Sequence, residues 1–236
     1  MNTSNSLRTH ARAIVRQLTK LYPDAKCALD YQDPLQLLIA TMLSAQCTDV
    51  RVNMVTPALF KRFPDSTAFA NADQPELEKI IQSTGFFRNK AKSIIACCKE
   101  IVEKHGGQVP ATMEELKAMP GIGRKTANVV LGNAFGVPGI TVDTHVLRLS
   151  RRLGLTTMTD PEKVERDLMA LLPATEWTMF SHRMIFHGRQ VCFARKPNCE
   201  GCALNKICPR VGVEKPRAKT QRRKKKHKKS KQVFST

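Results

Sequence analysis

No stretch of this 236-residue chain approaches the roughly 20 consecutive apolar residues that a bilayer span requires. The opening residues, MNTSNSLRTHARAIVRQLTKLYPDAK, lack the uninterrupted apolar core of a secretory signal. Together these absences point to a soluble intracellular protein without a membrane partner, cytoplasmic and, in a bacterium, associated with the nucleoid. No sustained period-two alternation bounded by hairpin signals occurs, which argues against a β fold, and no fixed-period repeat argues for a solenoid. Acidic residues are scarce: 20 Asp and Glu stand against 39 Lys and Arg, a formal charge of +19. A polyanion is therefore the first partner to consider.

The patterning that is present is helical. Asp33-Pro34 and Asp160-Pro161 each read as an N-cap with proline at the first helical position, opening the apolar run Leu35 to Ala45 and the face made by Val164, Leu168, Leu171 and Leu172. Thr112 with Glu115 forms a capping-box pattern. From Asn89 to His105, apolar residues recur at helical spacing until Gly106-Gly107 ends the run. The expected fold is all-α. Residues 215 to 231 differ in kind: eleven Lys or Arg and no acid, with RRKKKHKK at the centre. Such a block repels itself and buries nothing, so disorder is expected there. The rest of the chain still carries +8 of the +19, so it is basic in its own right.

Between two helical patterns lies Met119-Pro120-Gly121-Ile122-Gly123-Arg124-Lys125-Thr126. A Walker loop needs Gly directly before its Lys, and Arg124 intervenes; a dinucleotide fingerprint needs a preceding strand and Gly or Ala where Thr126 stands. What remains is helix, tight glycine turn, helix. Gly121 and Gly123 can take positive φ and offer backbone N–H groups to a phosphate oxygen beside a helix N-terminus, with Arg124 adjacent. A turn with no ligand is the plain alternative. Lys125 falls in the first turn of the second helix, where the dipole disfavours the ammonium relative to the free amine. A free amine can attack a sugar C1′ and form a Schiff base, although a surface lysine contacting phosphate is the commoner fate. Asp143, in Val142-Asp143-Thr144-His145, offers a carboxylate partner, or serves only as an N-cap.

The eight cysteines fall into two groups. Cys27, Cys47, Cys97 and Cys98 are scattered and read as reduced packing residues. Cys192, Cys199, Cys202 and Cys208 have the spacing C-x6-C-x2-C-x5-C, which in an intracellular chain reads as a metal site. Four thiolates suit either zinc or an iron–sulfur cluster, and the spacing leaves both open.

The segment MPGIGRKTANVVLGNAFGVPGITVDTH closely resembles the helix-hairpin-helix and Gly/Pro-to-Asp region of the endonuclease III family. The similarity continues through LLIATMLSAQCTDVRVN and STGFFRNKA upstream and HGRQVCFARKPNC downstream, covering roughly residues 10 to 210. The resemblance implies a DNA glycosylase with AP-lyase activity in base excision repair, in which Lys125 is the nucleophile and Asp143 the assisting carboxylate. It implies that Gln46 fills the gap left by a flipped base and that Phe86 wedges the stack, at a position where the family often has leucine. It also implies a [4Fe–4S] cluster on Cys192, Cys199, Cys202 and Cys208, with Arg195 and Lys196 of the same loop presented to the DNA backbone.

The implied architecture is two helical domains with a DNA-binding cleft between them. Residues 27–137 would form a helical barrel containing the hairpin at about 112–134, residues 1–26 with 138–211 the cluster domain, and 212–236 the basic tail. The expected partner is double-stranded DNA bearing oxidised pyrimidines or abasic sites, bound by a monomer. Two alternatives stand beside this. An adenine-mismatch glycosylase of the same superfamily would carry a catalytic Glu where this chain has Ala40, and a non-enzymatic DNA-binding protein would not need both Lys125 and Asp143.

Overall fold

The computed structural model describes residues 3–213, with side chains from residue 5; the basic tail from 214 onward lies outside the described residues. Among the described residues eleven α-helices follow one another: α1 (Thr3–Leu21), α2 (Pro34–Leu43), α3 (Asp49–Arg62), α4 (Ser66–Ala70), α5 (Gln74–Ile81), α6 (Phe87–His105), α7 (Met113–Ala118), α8 (Arg124–Ala134), α9 (Thr144–Arg152), α10 (Pro161–Leu171) and α11 (Trp177–Gln190). There is no strand among the described residues. None of their helices is long and apolar enough to cross a membrane.

Local chemistry explains where most of these helices start. Asp33, Thr48, Asp65, Asp73, Thr112, Asp143 and Asp160 each accept a hydrogen bond from a first-turn backbone N–H. Such caps are worth about 1 kcal/mol apiece. Helix α6 begins two residues earlier than the sequence pattern suggests, because Phe86 turns left-handed (φ 48°) and the chain enters the helix directly from that turn. At the other end Gly106 (φ 59°) closes α6, with the Gly107 N–H bonded to the Ile101 carbonyl at 3.0 Å.

Two hydrophobic cores result. The first is built from α2 to α8, with Leu37, Leu38, Leu43, Phe63, Phe69, Ile94 and Leu131 buried at its centre. The second joins α1 to α9, α10 and α11 through Ile14, Leu18, Leu149, Leu168, Phe180 and Met184, and it takes in Leu204 from the cysteine-rich loop. Cys97 and Cys98 belong to the first core, and burial pushes the Cys97 thiol up to about 12, so it stays protonated and inert.

Helix α8 is the seam between the cores. Its Gly132 has no room for a side chain: a Cβ there would lie 2.8 Å from Thr178 Oγ1 on α11. Its Asn128 amide donates to the Ile140 carbonyl at 3.2 Å and to Glu165 Oε1 on α10 at 3.0 Å. Its Asn133 Oδ1 lies 2.7 Å from His182 Nε2 on α11. Burial holds His182 below its usual range, so the neutral ring donates to that amide oxygen.

Candidate active site

The hairpin leading into α8 is held by its apolar residues: Met119 and Ile122 are buried, and the Ile122 N–H closes the turn onto the Met119 carbonyl at 3.2 Å. Gly121 has φ 78° and packs so closely on α6 that a Cβ would meet Ser93 Cβ at 2.9 Å, so both conformation and space require glycine there. Gly123 differs from expectation. Its φ is −94°, an ordinary extended N-cap conformation, and the space beside it is open. Its contribution is an uncovered approach to the first N–H groups of α8, not a positive φ.

Arg124, expected to contact phosphate, also has a partner within the protein. Its Nε and Nη2 form a fork on Glu165, at 2.6 Å and 3.0 Å, and the Glu165 side chain is only 4% exposed. A planar, bidentate pair of this kind fixes orientation. The guanidinium thus locks the N-terminus of α8 to α10 of the second core, and its fork is taken by protein.

Lys125, the next residue, is exposed. Asp143 ends the segment leading into α9, where Oδ1 accepts the Val146 N–H at 2.8 Å. Oδ2 has no hydrogen-bond partner among the described residues. The capping contact that the sequence offered is therefore made by one oxygen only. Lys125 and Asp143 line the same pocket, one brought by the first core and the other by the second.

Three further charged residues line that pocket and were not singled out from the sequence: Lys26, Asp49 and Arg189. Asp49 and Arg189 are paired at 2.7 Å, joining the first turn of α3 to the end of α11. No local pattern marks them, because they meet only when the cores pack. Cys27 packs against the first core as a free thiol, as its context suggested, and its half-buried side also lines the pocket.

Gln46 and Phe86 stand on two turns of the first core. Both are exposed and both are left-handed, with φ 53° and 48°. Phe86 is 63% exposed, which excludes the ordinary core role. Non-glycine residues in this region are strained and persist only where the surroundings hold them. Lys196 is a third such residue, at φ 50°, and it lies with Arg195 on the exposed surface of the cysteine loop.

The four cysteines of that loop are half-buried. Cys192, Cys202 and Cys208 pack against the second core, beside the buried Leu204. Among the described residues no three His, Cys, Asp or Glu side chains converge tightly enough for a single metal ion. Two arginines of α9 hold the start of the loop. Arg148 donates to the Cys192 carbonyl at 3.0 Å, while Arg152 donates to the Phe193 and Ala194 carbonyls and places Nη1 3.3 Å from Cys192 Sγ. A four-thiolate donor set with a guanidinium beside it fits a group that binds thiolates. The helix that Asp143 caps is therefore also the one that anchors the cysteine loop.

Comparison with known proteins bears on all of this. A profile of the HhH-GPD superfamily of base excision DNA repair proteins matches residues 39–174. Endonuclease III of Synechocystis sp. is 60% identical over 205 residues, covering 86% of this chain and 94% of that protein. Endonuclease III of Bacillus subtilis is 46% identical over 189 residues, covering 80% and 86%. A non-covalent endonuclease III–DNA complex superposes with a TM-score of 0.82 at 44% identity, over 89% of this chain and 97% of that one. A trapped endonuclease III–DNA covalent intermediate matches with the same score and identity, over 89% and 98%.

Proposed function

From the premise that the chain belongs to the endonuclease III family of the HhH-GPD superfamily, we propose that Lys125 is the nucleophile and Asp143 the carboxylate of its reaction. The enzyme is a bifunctional DNA glycosylase and AP lyase of base excision repair, and its partner is DNA. The observation that supports the residue assignment is that the Lys125 amine and the Asp143 carboxylate, supplied by different cores, line a single pocket in which the other carboxylate, Asp49, is paired with Arg189.

The substrate is duplex DNA carrying an oxidised pyrimidine or an abasic site, and the enzyme acts as a monomer. The damaged nucleotide leaves the stack, because its glycosidic bond is out of reach inside the duplex. The lone pair of Lys125 Nζ forms a bond to C1′ as the glycosidic bond breaks, and the base departs with that bonding pair. The Asp143 carboxylate offsets the positive charge growing on the sugar and accepts the proton that Nζ must lose before the ring opens to a Schiff base. Loss of a C2′ proton then expels the 3′ phosphate oxygen and nicks the strand. Gln46 occupies the vacated space and hydrogen-bonds the orphaned partner base, while Phe86 wedges beside it.

Cys192, Cys199, Cys202 and Cys208 would hold a [4Fe–4S] cluster. When bound, it crosslinks the loop and fixes the backbone that presents Arg195 and Lys196 to phosphates. Duplexes carrying thymine glycol, uracil or a mispaired adenine separate the alternatives. Release and strand cleavage are expected on the first alone; release of mispaired adenine without cleavage would overturn the assignment.

A further inference from the structure

We propose that Lys90 is a positioning residue that sets the spacing of the two DNA-entering turns, acting from beneath them and touching no DNA. The inference rests on the reading of Gln46 and Phe86 given above. Lys90 lies in the first turn of α6 and is only 7% exposed. Its ammonium donates to the Leu43 carbonyl at 2.7 Å and to the Thr84 carbonyl at 2.9 Å. Leu43 is the last residue of α2, three residues before Gln46, and Thr84 is two residues before Phe86. Neither carbonyl accepts a backbone N–H among the described residues. One buried cation thus joins the roots of both turns.

A purely stabilising role explains this arrangement less well. No carboxylate lies within ion-pair distance of Lys90 among the described residues, and burial holds its ammonium below the usual lysine range. Burying a cation without a counterion is unfavourable, and a neutral side chain would be the cheaper filler. What the ammonium adds is charge-assisted hydrogen bonding, which is shorter and stronger than its neutral counterpart. It also sits at the negative end of the α2 dipole. The two turns it joins each end on a non-glycine residue in the left-handed region, a conformation that needs outside support. Gap filling and wedging act on the same lesion, so their separation must be held to within a fraction of a base step.

The test is a double-mutant cycle. Lys90→Met should leave affinity for undamaged duplex within about twofold, while single-turnover release of thymine glycol falls by about tenfold to a hundredfold, the scale of a 1 Å misplacement. In a protein already carrying Gln46→Ala and Phe86→Ala, the same change should cost almost nothing more, since no side chains remain to be aimed. Equal losses in both backgrounds would overturn the proposal and leave Lys90 a packing residue. If Gln46→Ala and Phe86→Ala together cause no loss, the reading of those two residues fails first, and the proposal with it. Should Lys90→Met not fold, Lys90→Gln, which keeps an amide donor for one carbonyl, takes its place in the cycle.

Discussion

The pocket and the cysteine loop are built in opposite ways. The loop gathers its four thiols from one short segment, and two arginines of a single helix hold its start. The pocket draws Lys26, Asp49, Lys125, Asp143 and Arg189 from both cores, and no two of them are sequence neighbours. A site of the first kind depends on local chain geometry. A site of the second kind depends on how α8 is clamped between cores. Each should therefore fail in a different manner when perturbed, and the difference can be measured through base release.

The largest effect belongs to the pocket's own groups. Lys125→Gln should abolish both base release and the borohydride-trapped complex while leaving duplex binding intact. Undiminished trapping would refute the assignment. Asp143→Asn retains a capping oxygen for Val146 but loses the charge, so single-turnover release should fall by about 10²–10⁴-fold with little change in melting temperature. A variant that melts early instead would reduce Asp143 to a helix cap.

Next comes the seam. Arg124→Ala leaves the nearly buried Glu165 carboxylate without its cationic partner and with only the Asn128 amide, which costs about 3 kcal/mol. Thermal unfolding should then drop by about 6–12 °C. Because the lock orients the first turn of α8, release by the folded variant should also slow. A stable variant with slowed release and lost DNA affinity would instead place Arg124 in the phosphate-contacting set.

How much of this was readable in advance follows the same division. Asp33-Pro34, Asp160-Pro161 and Thr112 announced helix starts because a cap is a contact between neighbours in sequence. The spacing of Cys192, Cys199, Cys202 and Cys208 was equally visible. The pairing of Arg124 with Glu165 was not legible, because the two lie 41 residues apart and nothing local marks the pair. Lys26, Asp49 and Arg189 went unremarked for the same reason. Gly123 was grouped with Gly121 by residue type, yet one is an extended cap and the other a left-handed turn packed on Ser93. Residue type alone does not distinguish those two roles.

Smaller effects on release are expected from the loop. Protein purified under anaerobic conditions should be yellow-brown, with iron and acid-labile sulfide at about four each per chain. One zinc per chain and no colour would favour a structural zinc site. Cys202→Ser should bleach the protein and make the log–log salt slope of duplex binding shallower by about two units, as expected if Arg195 and Lys196 lose their phosphates at about 0.9 each. Release at saturating enzyme should fall far less than in the Lys125 variant.

The smallest effect on release should come from the tail. Deleting residues 213 to 236 removes eleven cations and little that reads bases. Binding to damaged and undamaged DNA should weaken alike, with a salt slope shallower by several units at about 0.9 per lost contact. Single-turnover release should hardly change, and a large loss there would place the tail in the active cleft.

The central claim is that Lys125 forms the bond to C1′, and the pocket itself supplies the control, because a second amine, Lys26, lines the same walls. Borohydride reduction of the enzyme on a thymine-glycol duplex, followed by nuclease trimming, proteolysis and mass spectrometry, locates the sugar remnant on one lysine. The account predicts the adduct on Lys125, in the peptide that begins α8, with Lys26 recovered unmodified. An adduct on Lys26, with Lys125 unmodified, would contradict it.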